Sequence, residues 1–230
     1  ENIFEVFDKN NMIYIARRQY LKLYSKGIKK RNELLINQYF LNMIDFKKND
    51  LAIDVGANIG EVSLILAKLF GCKTLSIEPE KREFNCLKLN LNSFEGKYIN
   101  NPLWSEEKEI SFYSANEDLD SSCFETEDYT EIIKKKSLTL SSIIKDFKIE
   151  KIKFLKLEAE GAEPEILLGG IDDLNKIEYI CVDVGPERGL SYETTLVETV
   201  NILKANNFEF IKMGHPRLNC LFKNRKFMNN

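Results

Sequence analysis

The sequence predicts an α/β fold: a doubly wound, mainly parallel sheet with a C-terminal antiparallel hairpin and an N-terminal helical segment. Three observations predict it. From residue 51 onward, short apolar runs alternate with stretches of helical period, the pattern of parallel strands joined by crossover helices. A glycine-bearing turn follows the first of those runs, and the last two runs lie close enough to pair as a hairpin. At 230 residues, 43% hydrophobic and 30% charged, the chain is long enough to bury a substantial core. The expected partition is a helical segment over 1–50 and a ligand-binding α/β domain over 51–230.

Each element has its own signal. Residues 1–50 carry Leu34, Leu35, Tyr39, Phe40 and Met43 at helical spacing, with a short hairpin near Ile3 to Ile15. Leu51 to Val55 reads as a buried strand. Gly60 to Phe70 reads as a helix with Leu64, Ala67 and Leu69 inward and Gly71 closing it. Thr74 to Ile77 is a second strand, and Lys81 to Leu91 is a helix with Phe84, Leu87 and Leu91 on one face. Lys97 to Asn100 is a short third strand. Residues 105–137 are polar and lack helical period, which predicts an extra hairpin or a loop over the site. Thr139 to Phe147 is helical, Ile152 to Leu157 is a strand, and Glu163 to Leu168 is helical with Pro164 in its first turn. Tyr179 to Val184 is a strand and Tyr192 to Ala205 an amphipathic helix. Phe208 to Met213 and Asn219 to Phe222 form the closing hairpin.

Composition excludes several classes. No apolar run is long enough to span a bilayer, and Glu1 to Glu5 lacks the basic start and apolar stretch of a signal peptide. Cys72, Cys86, Cys123, Cys181 and Cys220 form no CxxC pair, which argues against a disulfide framework and against a zinc site. A cytoplasmic protein with reduced thiols is the expectation. A net charge of −3 gives no footprint for nucleic acid, and the basic clusters at 26–31, 134–136 and 223–226 read as solvated faces. The sequence is silent on oligomeric state.

The strongest motif is Asp54-Val55-Gly56-Ala57-Asn58-Ile59-Gly60. A glycine turn from strand into helix lets a nucleoside approach the backbone and its amide donors. GxGxxG is absent, which weighs against NAD and FAD. A cofactor without phosphates fits better, and S-adenosyl-L-methionine is the expected one, its cationic groups favouring a carboxylate such as Asp54. Glu61 opens the following helix. Glu78, in Ser76-Ile77-Glu78-Pro79, stands where an acid commonly accepts both ribose hydroxyls, with Pro79 turning the chain away. Trp104 offers a face for the adenine. Asn101-Pro102-Leu103-Trp104 only faintly echoes the signature of amino-methylating DNA enzymes and lacks its second proline.

A second group of acids closes a later strand, in Lys156-Leu157-Glu158-Ala159-Glu160-Gly161-Ala162-Glu163. Alternation sends Lys156, Glu158 and Glu160 to one side if the strand continues that far, and charges ending an apolar strand are costly without a partner or a role. A mutually paired cluster that only closes the strand is the bland alternative. In Val182 to Gly189, Asp183 joins the acids and Arg188 is a candidate substrate clamp, although Gly185-Pro186 is equally a plain turn. His215, in a Gly-His-Pro turn, reads as surface.

Together these residues resemble the FkbM family of methyltransferases. The resemblance rests on Ile53 to Gly60, Glu78-Pro79, Leu103-Trp104, Asp120-Ser121-Ser122, Thr139-Leu140, Lys156 to Glu163 and Gly169, and covers residues 51 to about 222. It implies a class I methyltransferase fold, Rossmann-like, acting on hydroxyls of sugars, polyketides or other secondary metabolites. The chain has Glu158 and Ala159 where the family usually has Asp and Val. On this reading Asp54, Gly56, Ala57, Asn58, Gly60, Glu61, Glu78, Pro79, Leu103 and Trp104 hold the cofactor. Glu160 is the first choice of base, Glu158 and Asp183 are alternatives, and Lys156 orients a carboxylate. Clustered acids also admit Mg²⁺, which is not favoured, and no metal ligand is assigned. The rivals are a degenerate binding module, which Glu158 admits, and a dehydrogenase.

Overall fold

A computed structural model describes residues 3–9, 11–115, 121–127 and 129–228. The chain divides into two compact units, residues 1–100 and 101–230.

The first unit opens with an antiparallel hairpin of β1 (Phe4–Asp8) and β2 (Asn11–Ile15), in which Phe4 faces Ile15. Alternation buries Ile13 and Ile15 and leaves Met12 exposed. A 3₁₀ turn over Arg18–Tyr24 leads to α1 (Ile28–Gln38), whose first turn is capped by Asp8 Oδ2 accepting from Ile28 N–H at 2.9 Å. Leu35, Tyr39 and Phe40 are buried, whereas Leu34 and Met43 are exposed. The expected face breaks because α1 ends at Gln38 and Phe40 is left-handed, φ 55°. Three parallel strands follow, β3 (Leu51–Val55), β4 (Lys73–Ile77) and β5 (Gly96–Ile99), in the order β3-β4-β5 with Val55 opposite Ile77. They are joined by α2 (Glu61–Phe70) and α3 (Lys81–Asn90). Gly71 closes α2 in the left-handed region, φ 70°. The Cys72 amide returns to Leu66 O at 3.0 Å. This reversal buries Cys72 and leaves Leu69 exposed, contrary to the inward placement expected of Leu69.

In the second unit, residues 105–137 hold an antiparallel hairpin of β6 (Glu109–Ala115) and β7 (Tyr129–Lys136), the first of the two outcomes expected there. Asp120 lies outside the described residues. Thr139 and Ser142 form a reciprocal capping box at the start of α4 (Leu140–Asp146). Strand β8 (Ile152–Leu157) runs parallel to β9 (Ile177–Asp183), with α5 (Glu163–Leu168) between them in sequence. The helix expected from Tyr192 begins only at Leu196. Before it, β10 (Pro186–Arg188) pairs with β11 (Glu193–Thr194), and left-handed Tyr192, φ 49°, breaks any helical run. Helix α6 (Leu196–Ala205) leads into β12 (Phe208–Met213), which pairs antiparallel with β13 (Asn219–Asn224). Strand β13 in turn lies antiparallel to β9. No described helix is long and apolar enough to cross a membrane.

Candidate active site

The first unit places the glycine turn at the end of β3, where Gly56, Asn58 and Gly60 all have positive φ of 68°, 51° and 86°. Its backbone donors have internal acceptors. Gly56 N–H and Ala57 N–H both donate to Ile77 O at 3.0 Å, and Gly60 N–H donates to Ala57 O at 2.8 Å. Asn58 N–H donates to Glu78 Oε2 at 2.7 Å and Ile59 N–H to Asn58 Oδ1 at 2.8 Å. Every amide from 56 to 60 is therefore bonded inside the protein, and the turn is not the array of outward-pointing donors that a pyrophosphate requires. The expectation that a ligand uses these donors is corrected accordingly.

Glu78 is the main chemical handle of this unit. It directly follows β4 and is buried, with Oε1 accepting from Glu80 N–H at 2.7 Å besides the bond from Asn58. These two bonds orient a carboxylate that has about four acceptor sites, an acceptor set that suits the donating hydroxyls of a ribose diol. Asn100 Nδ2 donates to the carbonyls of Glu78 and half-buried Pro79 at 2.8 and 2.9 Å, holding the strand end. Asp54 is fully buried, and its Oδ2 accepts from Ser63 N–H at 3.1 Å and from Ser63 Oγ at 2.7 Å. Its bonds anchor the first turn of α2. Glu61 receives Arg31 through two bonds of 2.8 and 2.7 Å and the Tyr24 hydroxyl at 2.7 Å. Ala57 packs with Leu87 and Leu91.

The second unit gathers the other candidates. Lys156, buried in β8, lies 3.1 Å from Glu158 Oε2. Arg217 Nη1 contacts Glu158 Oε1 at 2.9 Å and Asp183 Oδ2 at 3.6 Å. Asp183 Oδ1 accepts from Gly185 N–H at 2.9 Å. Burial first, and then Glu158, raise the Asp183 carboxyl above the ordinary aspartate value. Glu160 does not continue the strand alternation: β8 stops at Leu157, and Glu160 is left-handed at φ 50° in the turn before α5. Its carbonyl accepts from Ser122 Oγ at 3.0 Å. Leu103 is buried, and Trp104 packs against Phe124 with centroids 5.7 Å apart. Arg188 is no free clamp. Its Nη2 meets Glu165 Oε1 at 2.5 Å and its guanidinium stacks on Phe124 at 4.4 Å.

Arg217 escaped the sequence reading, and Glu163 and Glu187 were read only as members of a motif, with no role of their own. Arg217 comes from the β12–β13 connection, 59 positions from Glu158, so nothing local announces it. Glu163 is buried, with Oε1 accepting from Ala159 N–H at 2.8 Å and Oε2 from Thr195 Oγ1 at 3.2 Å. Burial pushes its carboxyl up to about 7. Glu187 is pushed up to about 8 by burial and by the negative charges of Asp183, Glu158 and Glu163. Its place directly after the Gly185-Pro186 pair was the available signal. Among the described residues no three acid, cysteine or histidine side chains stand in a metal-holding group.

The backbone architecture is similar to that of solved methyltransferases. An S-adenosylmethionine-dependent methyltransferase from Aquifex aeolicus matches with a TM-score of 0.50 and 13% identity, over 90% of this chain and 93% of that one. A TehB-like enzyme of the same kind from Corynebacterium glutamicum matches at 0.49 and 10%, over 90% and 95%. M. capricolum TrmK, solved with S-adenosylhomocysteine, matches at 0.45 and 10%, over 81% and 68%. The first of these shows a class I, Rossmann-like α/β fold. No curated protein sequence matches the chain. The model of the methyltransferase FkbM domain matches residues 54–210, from Asp54 in β3 to the middle of β12, and the chain therefore belongs to the FkbM family of S-adenosylmethionine-dependent methyltransferases.

Proposed function

We propose that the chain transfers a methyl group to a hydroxyl of a sugar, glycan or secondary metabolite, with residues 51–230 as the catalytic domain. The observation that supports the cofactor half is the turn at 56–60, whose amides are all internally bonded beside the buried carboxylate of Glu78. Such a turn suits an adenosyl ligand with hydroxyls and no phosphate. Glu78 would accept from the ribose, with Gly56, Ala57, Asn58, Gly60 and Pro79 shaping the pocket and Asp54 holding α2 in place. Glu61 acts here as an anchor of the turn. Leu103 and Trp104 supply apolar surface for the adenine. Bound S-adenosylmethionine supplies an electrophilic methyl whose leaving group is a neutral thioether and needs no acid.

The protein's remaining tasks are to orient the acceptor and to take one proton. Glu160 is the proposed base, with Glu158 and Asp183 as the alternatives. Lys156 and Arg217 hold Glu158 from two sides, which suits it better to orientation than to proton transfer. Mg²⁺ is not part of the proposal, and nucleic acid is not the acceptor. The cytoplasm is the proposed compartment, where the five free cysteines stay reduced.

The test is transfer of a radiolabelled methyl group from S-adenosylmethionine to extracted cell glycans and to a panel of hydroxylated metabolites. Label in an alkali-stable ether, lost in Glu160→Gln and retained in EDTA, is the expected result. Tight cofactor binding with no transfer to any hydroxyl acceptor would make the chain a binding module instead. Label found on nitrogen would move the target atom.

A further inference from the structure

Residues 14–31 lie before the residues matched by the family model, yet they converge on one short stretch of the cofactor turn. Asn58 Nδ2 donates to the Tyr20 hydroxyl at 3.2 Å. Asn90 Nδ2 bridges the carbonyls of Tyr14 and Ile59, at 2.9 and 2.7 Å. The Ile59 side chain is buried in a cluster with Ile13, Ile15, Ala16, Tyr24 and Ile28. Glu61 receives the Tyr24 hydroxyl and both arms of Arg31. Residues 58, 59 and 61 are thus each held by the N-terminal segment. Two further links, the buried Arg17–Glu83 ion pair and Arg82 Nε on Ala16 O at 2.9 Å, tie the segment to α3.

The turn needs such support. Asn58 sits in the left-handed region, which a non-glycine residue adopts at a cost. The same residue carries the N–H that orients Glu78. A chain of contacts therefore runs from the Tyr20 hydroxyl through Asn58 to the Glu78 carboxylate. A turn already held in its binding shape avoids the ordering cost that would otherwise weaken the ligand.

We propose that Tyr20, Tyr24 and Arg31 are positioning residues for the methyl donor: through Asn58 and Glu61 they hold the cofactor turn in its binding conformation without touching the cofactor. The proposal rests on the cofactor reading given above. It assigns the N-terminal segment to donor affinity, and it makes Glu61 a member of the Arg31 pair and no direct ligand.

Calorimetry of the whole chain with S-adenosylhomocysteine as the probe tests both readings separately. If the wild-type chain does not bind the probe, the cofactor reading itself fails. If it binds, Tyr20→Phe, which removes one oxygen, is expected to weaken it about fivefold, the scale of one hydrogen bond. Arg31→Gln is expected to weaken it about tenfold, and adding Glu61→Gln to Arg31→Gln is expected to cause no further loss. Asp8→Ala is the structural comparator, because Asp8 caps α1 and makes no bond to residues 58–61. It is expected to lower the melting temperature and leave the probe's Kd alone. Equal Kd for Tyr20→Phe and wild type overturns the proposal, as does an additive loss for the Arg31 and Glu61 pair or an equal weakening by Asp8→Ala. Should Arg31→Gln fail to fold, Tyr20→Phe against Asp8→Ala still decides.

Discussion

Glu163 opens α5 and is 1% exposed, its carboxyl bonded to Ala159 N–H, Gly161 N–H and the Thr195 hydroxyl. The bonds lower its proton affinity, but burial outweighs them and leaves the carboxyl at about 7, against 4.5 for an ordinary glutamate. Between those values the unfolded chain is ionised and the folded chain keeps the proton. Stability therefore falls as pH rises through that window, by up to about 3 kcal/mol from this residue. Glu163→Gln keeps the shape and does not titrate. Urea midpoints at pH 5 and pH 7 should fall less in the variant than in wild type, and equal falls would refute the assignment. At this scale the sequence shows residue type but not environment. Asp54, Glu78 and Lys156 are legible because each is a charge within one residue of the end of an apolar strand. Arg217 is not, because its partners Glu158 and Asp183 are brought to it only by the β12–β13 connection.

The turn between β8 and α5 is the element on which the proposed base depends, and Gly161 is its tightest point. With φ at 94°, a Cβ there would lie 2.7 Å from both Cα and Cβ of Arg188, so the backbone itself must shift. Gly161→Ala is expected to destabilise the fold by roughly 2–4 kcal/mol, read as a lowered urea midpoint. A wild-type midpoint in that variant would show the turn to be pliable. Elements with unbroken periodicity are the legible ones: β8, α5 and β12 have the bounds that their apolar patterns predict. Three of the misread stretches meet a left-handed residue. Phe40, Tyr192 and Glu160 end a helical face, delay a helix and end a strand alternation, and none is a glycine that would have announced the turn.

Charge is a property of the whole molecule, and here 33 basic residues face 36 acidic ones. The basic clusters are also partnered. Arg31 is bonded to Glu61, Lys30 to Glu33, Lys136 lies 3.6 Å from Glu107, and Lys223 stacks on Tyr179. Transfer RNA labelled for anisotropy is therefore expected to show no saturable binding below about 100 μM at physiological salt, and tight, salt-dependent binding would reopen a nucleic-acid acceptor. Overall class was legible because alternation of strand and helix is a long-range pattern that single misread residues do not erase. The division at residue 100 was not, since no glycine-rich or proline-rich linker marks it. The packing of Trp104 has a practical consequence for the molecule as a whole. It is the chain's single tryptophan, with its N–H of the backbone on Leu138 O at 2.9 Å and its ring beside Phe124 and Lys108. Indole emission is therefore a one-residue optical gauge of the second unit.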